Sequence, residues 1–192
     1  DIMFGAVTAD KLASLSVTAE KLYTDIENSN ILPGSLLRSS DLTPVNNGFL
    51  FFKENERSNI VTVMRNSTFN AVGIITSQRK ALKLTNGKQY ILSFEAKRGL
   101  MDNFNYVYAR RNTTATSTES VLIPSPYTDL TNYPEEEFVR YDIPFEFTGK
   151  TNSDYYILIA GLGGKVPALT VNGVQRGGAV RDIQFLKNMN FT

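Results

Sequence analysis

Two tyrosines and an arginine alternate along one short segment of the chain. Tyr106, Tyr108 and Arg110 occupy every second position, with Val107 and Ala109 between them. Successive side chains of a β-strand point to opposite faces, so the first three residues would share one face. Exposed aromatic rings offer a large contact surface with few rotamers to freeze, and the guanidinium adds hydrogen-bond donors. The segment is therefore a candidate stacking platform, unless its tyrosines face the core instead.

A second aromatic group lies in the segment 124–134. It contains Tyr127 and Tyr133, together with Asp129 and Asn132. A long polar loop that carries aromatic residues is typical of a binding loop, so Tyr127 and Tyr133 join the candidate site. The alternative is an ordinary connection between two strands.

The composition excludes the commonest catalytic arrangements. The 192 residues include no histidine and no cysteine, which removes Ser-His-Asp and Cys-His sites, disulfides and thiolate metal sites. Paired carboxylates can still hydrolyse a glycosidic bond. However, the acidic cluster at 135–137 consists of consecutive glutamates, which are typical of a solvated run. We therefore expect no enzymatic activity and no cofactor.

The charge and hydropathy patterns limit the kinds of partner. There are 20 Lys+Arg against 19 Asp+Glu with no basic stripe, so we expect no nucleic-acid partner. No apolar run reaches the roughly 18 residues that a membrane span needs, so we expect no membrane partner. The chain begins with Asp1 in place of methionine, and we expect it to be a fragment or processed form of a longer protein.

From about residue 36, apolar and polar residues alternate with a period of two. In 138–147, for example, Tyr141 and Ile143 would face one way and Arg140 and Asp142 the other. This alternation is typical of half-buried antiparallel strands. It predicts an all-β fold, a two-sheet jelly-roll β-sandwich over residues 30–192. The predicted strands are 49–53, 60–65, 71–76, 90–97, 105–110, 120–123, 138–147, 155–160 and 180–186.

Residues 1–29 form a different unit, predicted to be a short helical oligomerisation stalk. The sequence V-T-A-D-K-L at 7–12 returns as V-T-A-E-K-L at 17–22. Apolar residues spaced three and four apart are typical of a coiled-coil seam, and helices this short need a surface to pack on. That surface is either the chain's own sandwich or, as we favour, sister chains. The residues predicted to make this contact are Leu12, Leu15, Leu22 and Ile26.

Four segments of the predicted sandwich carry a family resemblance. They read N-I-L-P-G-S at 30–35, N-G-K-Q-Y-I-L-S-F-E-A-K at 86–97, F-V-R-Y-D-I-P-F at 138–145 and A-V-R-D-I-Q-F at 179–185. In this order they resemble the jelly-roll carbohydrate-binding modules of the CBM4/9-like type, which implies a saccharide ligand. Some of these modules hold a structural calcium ion. Here an arginine precedes Asp182 where the family has two acidic residues, so Asp182 is a weak candidate calcium ligand.

The repeat in the stalk carries a second resemblance. Such V-T-A-D-K-L repeats are similar to linkers in phage tail, baseplate and receptor-binding proteins of Gram-positive hosts, where they precede trimeric regions and sugar-binding domains. Together the two resemblances imply an extracellular virion component, a homotrimer that binds host cell-wall saccharide beside other tail or baseplate proteins. Two alternatives stay open: a purely structural virion interaction domain, and a carbohydrate-binding module of a secreted bacterial glycosidase.

The stalk hypothesis predicts the mass of the chain in solution. Light scattering should give about three times the 21.4 kDa of one chain, because the apolar seam needs sister chains to cover it. A monomeric mass would contradict the stalk. It would favour the secreted-module alternative, since such modules hang on flexible linkers.

Overall fold

The computed structural model describes residues 30–32, 37–43, 49–168 and 177–187. The predicted stalk, with Leu12, Leu15, Leu22 and Ile26, lies outside these residues. No helix within them could cross a membrane. The described helices are two single 3-10 turns, Ser39–Asp41 and Gln78–Lys80. The strands are β1 Phe49–Phe52, β2 Val61–Arg65, β3 Ala71–Ile75, β4 Leu82–Lys83, β5 Gln89–Lys97, β6 Tyr106–Asn112, β7 Thr118–Leu122, β8 Val139–Glu146, β9 Asp154–Leu162 and β10 Ala179–Lys187.

These strands form two antiparallel sheets. The first sheet has the order β1-β2-β10-β5-β8. The second has the order β3-β9-β6-β7, and β4 pairs with β9 beyond the end of β3. From β8 onward, each strand lies in the sheet opposite to its predecessor, as in a jelly roll. The predicted all-β sandwich is therefore confirmed.

The alternation of residue types explains why these segments are strands. In β8, Tyr141 and Ile143 are fully buried, whereas Arg140 and Asp142 are exposed. Apolar residues on one face and polar residues on the other are typical of a strand that has the core on one side and solvent on the other. The two-residue strand β4 was missing from the prediction, because it is too short to show any alternation.

A cluster of aromatic rings in the core packs the connection before β6 against the first sheet. The ring of Phe94 lies 5.6 Å from that of Tyr141, and Phe104 meets both in edge-to-face contacts at 5.2 and 5.0 Å. Such pairs contribute about 0.5–1.5 kcal/mol beyond the area that they bury. The Tyr141 hydroxyl is buried and has no hydrogen-bond partner among the described residues. Burial raises the pKa of Tyr141 to about 12.

This unpaired hydroxyl generates a prediction on stability. Tyr141→Phe removes a buried polar group that gains no hydrogen bond, so the free energy of unfolding should stay within about 1 kcal/mol or rise. Tyr155→Phe is the matched control, because the buried Tyr155 hydroxyl accepts a hydrogen bond from the Lys150 N–H at 2.8 Å. That variant should lose about 1–2 kcal/mol. Urea unfolding measures both, and equal losses would contradict this view of Tyr141.

The Tyr141→Phe variant also tests how the stability of the fold depends on pH. The folded pKa of Tyr141, about 12, lies above the ordinary value of 10.0, so the unfolded chain ionises first. The contribution of Tyr141 to stability is therefore constant below about pH 10 and falls as the pH rises toward 12. Tyr141→Phe should unfold with a weaker alkaline dependence than the wild type.

Candidate functional site

The alternating segment forms β6, in the interior of the second sheet between β9 and β7. Val107 and Ala109 are fully buried against the first sheet. Tyr106, Tyr108 and Arg110 therefore point to the outer face, and Tyr106 is 36% exposed. Of the two orientations that the sequence left open, the structure has the one that turns the tyrosines outward.

The neighbours of β6 extend this outer face, which we name the tyrosine face. Tyr108 lies between Leu122 of β7 and Leu158 of β9, and Arg110 lies between Ser120 and Tyr156. Outer faces of antiparallel sheets are commonly polar, so an apolar one needs an explanation. The tyrosine face comprises Ala71, Gly73, Ile75, Tyr106, Tyr108, Arg110, Ser120, Leu122, Tyr156, Leu158, Ala160 and Leu162.

A groove of about 420 Å³ crosses the tyrosine face. One wall is Phe49, which comes from the first sheet and packs against the buried cluster of Ile75, Tyr156, Leu158 and Ala160. An aromatic groove with a few polar groups has the usual character of a small-ligand site. The residues that line it are Phe49, Ala71, Tyr106, Tyr108, Arg110, Ser120 and Leu158.

Small residues allow β3 and β9 to approach closely beside Tyr106. Gly73 pairs with Ala160, which in turn pairs with Tyr106. A Cβ atom added at Gly73 would lie 2.3 Å from the Ile159 carbonyl oxygen and 2.4 Å from the Ala160 Cβ. The close approach of β9 therefore requires glycine here, and the sequence analysis missed this role because its signal is a contact between strands.

Polar groups lie beside Arg110 on both neighbouring strands, β7 and β9. Arg110 Nε donates to the Ser120 hydroxyl at 3.0 Å. The Tyr156 hydroxyl donates to Asn112 Oδ1 at 3.1 Å. Burial raises the pKa of Tyr156, and the nearby Arg110 guanidinium partly opposes that rise. The groove thus combines aromatic rings with a cationic hydrogen-bond donor.

The structure does not bring Tyr127 and Tyr133 to this groove. Their rings lie 4.8 and 5.2 Å from the ring of Tyr141, at the edge of the core. The Tyr127 hydroxyl accepts from the Asp142 N–H at 3.0 Å and donates to the Asp142 carbonyl at 3.1 Å. The loop therefore covers the edge strand β8, whose backbone groups would otherwise be unpaired. Its placement is that of a connection packed against the core, with Leu130 fully buried.

A second cavity, of about 650 Å³, lies beside the connection between β1 and β2. Its lining has polar and charged side chains and no aromatic ring, so it offers no stacking surface. The residues that line it are Glu54, Asn55, Glu56, Ser58, Ile60 and Thr62.

The surroundings of Asp182 do not fit a calcium site. Asp182 accepts from the Asn59 amide, and the Arg181 guanidinium lies 3.7 Å from its carboxylate. Burial, and then a hydrogen bond with Glu95, raises the pKa of Asp182, while that hydrogen bond lowers the pKa of Glu95. The described residues contain no group of three acidic side chains that could hold a metal. Calcium would need the Asp182 carboxylate as a ligand, but hydrogen-bond donors and a guanidinium already contact it.

Comparisons with known proteins show similarity only to solved structures. No family model and no curated protein match the chain. A Clostridium thermocellum xylanase 10B structure, CBM22-1 and GH10 modules with xylohexaose, shares 9% identity and a TM-score of 0.49, over 84% of this chain and 29% of that one. A CBM4 structure shares 10% identity and a TM-score of 0.42, over 84% and 99%.

The tripod from the baseplate of bacteriophage Tuc2009 shares 13% identity and a TM-score of 0.39, over 82% of this chain and 57% of that one. This chain thus spans under a third of the xylanase structure and just over half of the tripod chain. The xylohexaose ligand and the baseplate assembly belong to those proteins.

The close approach of β9 to Gly73 can be tested by substitution. Gly73→Ala should lower the free energy of unfolding by about 1–3 kcal/mol, because the new methyl group collides with the backbone of β9. Gly164→Ala is the matched control, since its Cβ would have no atom within 4 Å. Thermal unfolding measures both. Equal stability of the two variants would show that β9 does not approach Gly73 this closely.

Proposed function

We propose that this protein binds a saccharide in the groove of the tyrosine face and does not catalyse its breakdown. The observation that carries the proposal is the outward, partly exposed pair Tyr106 and Tyr108 beside the Arg110 guanidinium. Aromatic rings stack on the apolar faces of sugar rings, while polar side chains bond to the hydroxyl groups. Among the large exposed hydrophobic side chains, Tyr106, Leu122 and Leu162 all lie on this face.

The absence of catalysis is proposed from the lining of the groove. Hydrolysis of a glycosidic bond requires two carboxyl groups on either side of it, about 5–10 Å apart. Among the described residues, the groove lining has no Asp or Glu. Binding without reaction is therefore the activity that the lining supports.

The biological setting is proposed from the stalk sequence. We propose that three chains associate through Leu12, Leu15, Leu22 and Ile26 as part of a phage tail or baseplate. Three linked modules would bind a repetitive host cell-wall saccharide with higher avidity than one, without any new contact. Other tail or baseplate proteins would then be the structural partners of the trimer.

A glycan array probed with the full-length chain tests saccharide binding. The wild type should bind a defined subset of glycans, and Tyr106→Ala with Tyr108→Ala should weaken that binding by about tenfold or more, because both stacking surfaces are lost. Phe52→Ala is the matched control: it removes an aromatic ring that is 52% exposed but lies outside the groove lining.

The control should bind like the wild type, and all variants should retain their thermal stability. Failure of the wild type to bind any glycan would favour the purely structural virion domain. If Phe52→Ala weakened glycan binding equally, the binding surface would lie outside the tyrosine face. A monomeric wild type that still binds glycan would favour the module of a secreted glycosidase.

A further inference from the structure

The guanidinium in the groove has no carboxylate partner among the described residues. Arg110 is half-buried, and its Nε donates to the uncharged Ser120 hydroxyl at 3.0 Å. Its two terminal nitrogens make no hydrogen bond or ion pair within the described part of the chain. Their N–H groups are therefore available to a ligand in the groove.

The adjacent arginine of the same strand, Arg111, forms an ion pair. Arg111 points to the opposite side of the sheet, where its Nη2 lies 2.6 Å from Glu119 Oε2. Glu119 precedes Ser120 in β7, so alternation turns this carboxylate away from Arg110. The two neighbouring guanidinium groups therefore lie in different environments. Within the described residues, Arg111 forms an ion pair and Arg110 does not.

Among the residues that the structure describes, the tyrosine face offers no other carboxylate close to Arg110. In the strands of the second sheet, the remaining acidic residue is Asp154, two positions before Tyr156, the partner of Arg110 across the sheet. Two positions along a strand correspond to roughly 7 Å. Asp154 also pairs with Lys83 at 3.0 Å. The groove therefore carries a net positive charge at Arg110.

We infer that the groove takes an anionic saccharide, one whose sugar units bear a carboxylate or a phosphate group. The inference rests on the proposed function and names the ligand class of the same groove. The rings of Tyr106 and Tyr108 contact the sugar, and the free N–H groups of Arg110 bind the anion as a fork. The apolar neighbours Leu158 and Tyr156 strengthen this attraction by displacing water. An anion also offsets the cost of keeping a half-buried cation unpaired.

Calorimetric titration with matched glycans tests this inference on the full-length chain. The probes are galacturonate oligosaccharides with their neutral methyl esters, and phosphomannan oligosaccharides before and after phosphatase treatment. The wild type should bind at least one acidic form about tenfold or more tightly than its neutral counterpart, and the preferred pair identifies the anionic group. Raising the NaCl concentration should weaken acidic binding and leave neutral binding unchanged.

Three variants locate the preference. Arg110→Gln should abolish the difference between acidic and neutral forms, and Arg110→Lys should keep part of it, because a lysine supplies the charge without the fork. Lys83→Gln is the matched control, since it removes one exposed positive charge at the far end of the face. It should keep the full preference.

Three results overturn the inference: equal binding of both forms by the wild type, an unchanged preference in Arg110→Gln, or binding to none of the four probes. The glycan array separates these results from a failure of saccharide binding. Suppose that one of these results occurs while neutral glycans still bind on the array, and that this binding requires Tyr106 and Tyr108. The proposed function would then stand, and the anionic ligand would be excluded.

Discussion

The burial of Val107 and Ala109 between the sheets decides what this protein presents to solvent. Because side chains alternate along β6, packing these two small residues inward forces Tyr106, Tyr108 and Arg110 outward. A shift of one residue in the register with β9 would exchange the two sets and place a guanidinium in the core. The core cannot accept an unpaired charge, so the orientation of the tyrosines is tied to the stability of the sandwich.

The two outer faces of the sandwich differ because their strands alternate differently. On the first sheet, β8 exposes Arg140 and Asp142, and β5 and β10 contribute Glu95 and Arg181, which form an ion pair at 3.4 Å. On that face, Glu95 and Arg181 neutralise each other. On the second sheet the outward residues of β6 and β9 are largely apolar, and the half-buried Arg110 guanidinium has no carboxylate partner among the described residues. Partly exposed tyrosine rings and an arginine without a carboxylate partner therefore lie in one groove, above a buried apolar cluster.

Alternation within a strand could be predicted from the sequence, but contacts between strands could not. The division of β6 into two faces, the inward rows of β5 and β8, and the sandwich itself follow from local patterns, whereas the choice of which β6 face is outward came only from the structure. Phe49 and Gly73 acquire their roles from neighbours far along the chain, so no local pattern marks them. Tyr127 and Tyr133 were assigned to the binding site because aromatic residues in a polar loop suit binding. The structure packs them against Tyr141, since the edge of β8 needed covering.

An NMR titration of the isotopically labelled full-length chain, with the strongest-binding glycan of the array, tests the central claim most directly. If the tyrosine face is the binding surface, the largest amide shift changes should lie in β6, β7 and β9, around Tyr108 and Arg110. Apart from Phe49, which lines the groove, the first sheet and the loop 124–134 should stay unchanged. Shift changes concentrated on β5 and β8, or around Tyr127, would contradict the account and place the ligand on the other side of the sandwich.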